Sequence, residues 1–155
     1  MLIKADALQR LVHDIFHAEG CSEAESGRIA LYLVRANLAG HDSHGVIRVP
    51  VYRQWVLDGQ LHPDREPEIV VDTPALAVVD GRFGFGQSMA PRAVAVGIDK
   101  CRASGLAAVG LRNSGHVGRV GEYAETAAEA GLVSMHFVNA AGSILVAPFG
   151  GVERR

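Results

Sequence analysis

Cysteine is scarce in this chain, long apolar runs are absent, and neither sign of charge dominates. Cys21 and Cys101 are the only two cysteines among 155 residues, and they form no CxxC pair and no disulfide framework. That pattern fits a reducing compartment. No HExxH segment is present to suggest a zinc hydrolase. No stretch approaches the roughly 20 apolar residues needed to span a bilayer. The 15 basic and 17 acidic side chains leave a formal net charge of -2, so there is no basic field for nucleic acid or anionic lipid. The first residues run into a helical pattern rather than a secretory signal. There is no low-complexity tract and no repeat of fixed period. These absences lead us to expect a soluble cytoplasmic protein with no nucleic-acid and no membrane partner. The length suits about one domain, and an apolar fraction of 48% is ordinary for a globular core.

What is present begins with two helices. Asp6 can cap the first, and Ala7, Leu8, Leu11, Val12, Ile15 and Phe16 recur at helical spacing up to Gly20. His13 and His17 stand four apart on it, but no third metal ligand is near them in sequence. Ser22, with Glu25 three residues on, reads as a capping box. Ile29, Leu33, Ala36 and Ala39 then carry an apolar face to Gly40.

Next comes Gly40-His41-Asp42-Ser43-His44-Gly45-Val46-Ile47-Arg48-Val49-Pro50, a concentration of proton-transfer and anion-binding side chains flanked by glycine. An imidazole moves protons near neutral pH. A guanidinium holds a carboxylate through two parallel hydrogen bonds. The combination suits a small acid whose neighbouring oxygen gains or loses a proton. Asp42 or Ser43 as a helix cap, and Arg48 as a solvated charge, are the plainer alternatives. Pro50 belongs in a helix's first turn, so a third helix is expected to begin near Arg48, with Tyr52, Trp55 and Val56 on its buried side.

Residues 59–67 form a polar connector containing two prolines. It divides the chain into a helical unit, 1–58, and an α/β unit, 68–155. Residues 68–72 and 76–80 read as short strands joined by a turn at Thr73 and Pro74. The glycine-rich turn through Gly81, Gly84 and Gly86 precedes a helix over 87–103, but Met89 stands where a dinucleotide fingerprint needs its third glycine. A tight turn is the better reading. Residues 105–111 read as a buried strand. A polar loop from Arg112 to Gly121, a helix through Tyr123, Ala127 and Ala130, and a strand over 132–138 follow. This alternation predicts α/β packing with some parallel pairing.

Two blocks, residues 40–50 and Ser114-Gly115-His116-Val117-Gly118-Arg119-Val120-Gly121-Glu122-Tyr123-Ala124, together with Ala147-Pro148-Phe149-Gly150-Gly151, resemble the malate/L-lactate dehydrogenase type 2 family. That family is also described as sulfolactate dehydrogenase-like or ureidoglycolate dehydrogenase-like. The resemblance runs from the first helix to Gly151. It implies a non-Rossmann NAD(P)-binding α/β fold. It also implies hydride transfer between NAD or NADP and a small 2-hydroxy acid, or a 2-oxo or 2-imino acid. By motif, His44 corresponds to the catalytic histidine, with Ser43 beside it in a proton relay. Arg48 corresponds to the residue that holds the substrate carboxylate. His116 corresponds to a residue contacting substrate or cofactor, with a proton-transfer role in some members. The segment His116, Val117, Gly118, Arg119 and Val120 corresponds to a cofactor-contacting loop. Family members continue after Phe-Gly-Gly into further cofactor contacts and the relay's acidic residue. The resemblance is thus to an N-terminal portion, with a homodimer expected of the full-length protein and no dehydrogenase activity expected of these 155 residues alone. The competing expectations are an inactive interaction fragment and a metal-assisted hydrolase using His41, His44 and His116.

Overall fold

The computed structural model describes residues 2–139. The block from Ala147 to Gly151 lies outside them. Two antiparallel-style neighbours open the chain: helix α1 (Ala5–Ala18) and helix α2 (Glu23–Leu38), which pack along each other. Lys4 rather than Asp6 is the cap residue of α1, and Asp6 sits in the first turn, where it pairs with Arg10. Gly20, at φ +93°, turns the chain between the two helices.

The start of α2 realises half of the expected capping box. Ser22 Oγ accepts the Glu25 backbone N–H at 3.3 Å. Glu25 does not reach back to Ser22. Its side chain is fully buried, accepting the Asp64 backbone N–H and the Ser88 hydroxyl at 2.8 Å. Asp64 takes over the Ser22 N–H at 2.8 Å. Arg28 Nε donates to Ser88 Oγ at 3.1 Å. One carboxylate thus ties the connector and the fourth helix to α2. Burial, the leading cause, raises the Glu25 pKa above the usual carboxylate range, against the hydrogen bonds from Asp64 and Ser88 that lower it.

Two 3-10 turns, Asp42–His44 and Val46–Arg48, lead into α3 (Val49–Leu57), which has Pro50 in its first turn as its missing N–H requires. Strands β1 (Glu68–Asp72) and β2 (Leu76–Gly84) pair antiparallel. Helix α4 (Gly86–Ser104) then crosses over to β3 (Ala108–Ser114), which pairs parallel with β2. The sheet order is β1-β2-β3 among the described residues. Helix α5 (Gly121–Glu129) follows.

Three expectations need correction. Strand β3 starts later and runs further than expected, taking in Arg112, Asn113 and Ser114. The Asp80 carboxylate accounts for this: it accepts Arg112 Nε and Asn113 Nδ2, each at 2.9 Å, and so draws the strand's end along β2. Nor is β3 buried on both faces. Ala108 and Gly110 are exposed, because α4 covers one face of the sheet. Residues 132–138 are not a strand: they form no ladder with the sheet, and Val133 and Phe137 are 99% and 90% exposed. An apolar run acquires strand geometry from a neighbour's hydrogen bonds, and composition alone does not supply one.

The core joins the helices to the sheet layer. Phe16 meets Phe85 edge-on at 5.5 Å between ring centroids, and Tyr52 lies 6.5 Å from Phe16. Val12, Ile29, Ala30, Leu33 and Leu61 close around them. Because Glu25 reaches into this assembly as its buried polar tie, replacing it with Ala orphans the Asp64 N–H and the Ser88 hydroxyl. We expect Glu25→Ala to cost about 2–4 kcal/mol. Urea unfolding at pH 7 measures it, and a loss below about 0.5 kcal/mol would contradict the role given to this network.

Candidate functional site

The first half of the site is a turn held open by one glycine and one asparagine. Asn37, in the last turn of α2, accepts the Val46 backbone N–H at 2.8 Å through Oδ1 and donates to the Asp42 carboxylate through Nδ2. Gly45 passes so close that a Cβ there would land on the Asn37 amide. The turn therefore needs glycine for space rather than for its backbone angle. Its outcome is the placement of Ser43, His44 and Arg48 side by side. Ser43 Oγ and His44 Nδ1 are 2.9 Å apart. Arg48 Nε donates to the Ser43 carbonyl at 2.6 Å. The two terminal amino groups of that guanidinium have no acceptor among the described residues.

The second half comes from the loop after β3. Gly86, the first residue of α4, lies against this loop, and a Cβ on it would collide with the His116 carbonyl. The glycine-rich stretch thus serves contact between chain segments, which explains its departure from a dinucleotide fingerprint. His116 is brought within 5.0 Å of His44, ring centroid to ring centroid, and His41 stacks edge-on against His44 at 4.4 Å. These rings meet face and edge. Among the described residues no group of three or more His, Cys, Asp or Glu side chains is arranged to hold a metal ion.

Sequence reasoning placed Tyr52 in the core and took Gln87 only as the start of a helix. Both belong beside this site. The Tyr52 hydroxyl lies 2.6 Å from His116 Nδ1. Gln87 Nε2 donates to the Tyr52 oxygen at 3.1 Å and to the His116 carbonyl at 3.3 Å. Asn37 was not singled out. The available signal was Gly45, whose bareness marks a close neighbour.

The electrostatics favour uncharged imidazoles. Burial, followed by the positive charge of Arg48 and the proximity of His44, depresses the His116 pKa to about 4. Burial first, then His41 and Arg48, also lowers the His44 pKa. Burial pushes the Tyr52 phenol up to about 12, so it keeps its proton.

Of the loop residues, Gly118 is buried at φ +76° against the Gln87 side chain. The Val117 carbonyl accepts the Tyr123 hydroxyl. Arg119 is engaged by Glu122 at 2.9 Å and Glu125 at 2.8 Å. Val120 immediately precedes α5. Glu122, in the first turn of that helix, is buried and also meets Arg35 at 3.2 Å. Gly118 thus packs on the Gln87 side chain that also meets the His116 carbonyl, and the Arg119 charge is already compensated.

The chain and its fold have counterparts among known proteins. The malate/L-lactate dehydrogenase family profile matches residues 3–155. Hydroxycarboxylate dehydrogenase B of Escherichia coli K12 is 43% identical over 152 residues, covering 97% of this chain and 42% of that protein. The L-sulfolactate dehydrogenase of Methanocaldococcus jannaschii is 32% identical over 154 residues, covering 99% of this chain and 44% of that protein. The malate dehydrogenase structure from Pyrococcus horikoshii superposes with a TM-score of 0.80 at 31% identity, over 84% of this chain and 38% of that one. The chain spans about two fifths of the length of these relatives.

The depressed histidines predict an acid limb in stability. A His116 that is neutral when folded but titrates near its ordinary 6.5 when unfolded makes the unfolded state bind more protons between those values. Stability is then intact above about 6.5 and falls as pH drops toward about 4. His44 acts in the same direction. Urea unfolding across this range should show the decline, and His116→Gln should flatten it. An equally steep decline in His116→Gln would contradict the assignment.

Proposed function

We propose, because this chain belongs to the malate/L-lactate dehydrogenase family, that its site serves hydride transfer between a nicotinamide cofactor and a small 2-hydroxy acid or its 2-oxo or 2-imino counterpart. The observation that carries this reading is the Ser43, His44 and Arg48 cluster: one turn presents a neutral imidazole beside a guanidinium whose terminal amino groups point to no protein carboxylate among the described residues. In the oxidative direction His44 accepts the departing hydroxyl proton at Nε2. Its Nδ1–H then donates to Ser43 Oγ, which disperses the new positive charge. Arg48 grips the acid's carboxylate with its two terminal groups and so fixes the adjacent carbon relative to His44. In the reductive direction the same imidazolium returns the proton. The residues 1–58 carry these groups, and 68–155 carry the cofactor side.

The loop at His116, Val117, Gly118, Arg119 and Val120 fits the phosphate-free nicotinamide end of NAD or NADP. It offers a neutral, half-buried imidazole and a buried glycine. It offers little to a phosphate, since Arg119 is held by two carboxylates and Glu122 occupies the start of α5. The nicotinamide supplies the hydride acceptor or donor when bound. The His44 and Arg48 side supplies proton transfer and orientation.

The experiment is a turnover assay with both nicotinamides on a panel of 2-hydroxy and 2-oxo acids, in the protein at the full length of its relatives and in two variants of that protein. His44→Ala is expected to lower kcat about 10²–10⁴-fold and leave cofactor Kd nearly unchanged. Arg48→Lys keeps the charge and loses the planar fork, so acid binding should weaken by about 1.5–3 kcal/mol. Turnover within threefold of the parent in His44→Ala would remove His44 from the proton-transfer role. Unaltered acid binding in Arg48→Lys would remove the carboxylate grip.

A further inference from the structure

We propose that Tyr52 and Gln87 are positioning residues that lock His116 into the tautomer carrying its hydrogen on Nε2, so that His116 offers a hydrogen-bond donor to the reacting oxygen and leaves proton abstraction to His44. The inference rests on the dehydrogenase reading for its catalytic meaning, and on hydrogen-bond accounting for the tautomer itself.

The His116 carbonyl is the one group with no choice of role. The His116 backbone carbonyl can only accept, so the Gln87 atom 3.3 Å from it is the amide nitrogen. That nitrogen also faces the Tyr52 oxygen at 3.1 Å, and Tyr52 accepts there. The Tyr52 hydroxyl hydrogen must then go elsewhere. Tyr52 is 1% exposed, and a buried hydroxyl without an acceptor is costly. The acceptor in reach is His116 Nδ1 at 2.6 Å. Nδ1 therefore carries no hydrogen, and the neutral ring carries it on Nε2. Nε2 has no hydrogen-bond partner among the described residues, and the ring lies 5.0 Å from His44.

A second observation points the same way. Gln87 is fully buried and its Oε1 has no partner among the described residues. An apolar side chain of similar shape would avoid that orphaned acceptor, so the value of the residue at this place lies in its NH2 group. Protonating His116 would put a hydrogen on Nδ1 that opposes the Tyr52 hydroxyl hydrogen, so the same contact disfavours the imidazolium. A neutral Nε2–H is a poor proton source, since losing it would leave an imidazolate. It polarises a carbonyl or stabilises an alkoxide without transferring its hydrogen.

The test is long-range proton–nitrogen NMR on the whole chain, labelled with ¹⁵N at histidine, at pH 7 and through an acid titration. The expected result is a His116 signal pair with Nδ1 unprotonated and Nε2 protonated in the parent. Tyr52→Phe keeps the ring and removes the hydroxyl. It should convert His116 to a mixture of tautomers and raise its titration midpoint, with the backbone spectrum otherwise preserved. Gln87→Met should do the same to a smaller degree. A parent His116 protonated on Nδ1 would overturn the proposal, as would a tautomer unchanged in Tyr52→Phe. The parent spectrum decides the tautomer even if Tyr52→Phe fails to fold. Turnover does not enter this result: the acid panel described above tests the dehydrogenase reading separately, so either can fail alone.

Discussion

The hydrogen bond between the Tyr52 hydroxyl and His116 Nδ1 is where the helical layer meets the sheet layer in chemical terms. Its two ends come from α3 and from the loop after β3, which are 64 residues apart in sequence. Everything that brings them together is a packing device. Phe16 of α1 packs edge-on against Phe85 at the start of α4, and Tyr52 of α3 packs against both rings. Glu25 binds α2 to Asp64 and Ser88. Gly86 leaves room for the His116 backbone to pass over the α4 N-terminus.

The same arrangement explains the electrostatic character of the site. Burial is the first cause that lowers His44 and His116, and Arg48, tethered to the Ser43 carbonyl, keeps a positive charge near both rings that adds to it. A carboxylate bound at Arg48 would cancel much of that charge. On the proposed function, acid binding and proton affinity at His44 would be linked, and the site would become a better base as it filled.

Much of this was legible in the sequence because it depends on local signals. Helical periodicity located α1 to α3, Pro50 located the start of α3, and the alternation from β2 through α4 to β3 required parallel pairing. His44, Ser43 and Arg48 stood out because they fall within six positions. The illegible parts depend on partners distant in sequence. Glu25 has the spacing of a capping box, yet its carboxylate finds Asp64 and Ser88 instead. Arg112 and Asn113 looked like loop residues until Asp80 fixed them on the sheet. Residues 132–138 have strand composition without a ladder. Tyr52 has the pattern of a core residue, which it is; only the fold reveals that its hydroxyl faces a histidine.

The linkage between acid binding and His44 is the most direct point of attack. We would follow the His44 imidazole by NMR titration with and without saturating oxamate, an unreactive analogue of a 2-oxo acid. The account predicts a midpoint below the ordinary 6.5 in the free chain and a rise when oxamate binds. In Arg48→Ala the midpoint should start higher and respond far less. A His44 midpoint that ignores oxamate, or that responds equally without Arg48, would contradict the central claim that this turn is built to hold a carboxylate beside a base.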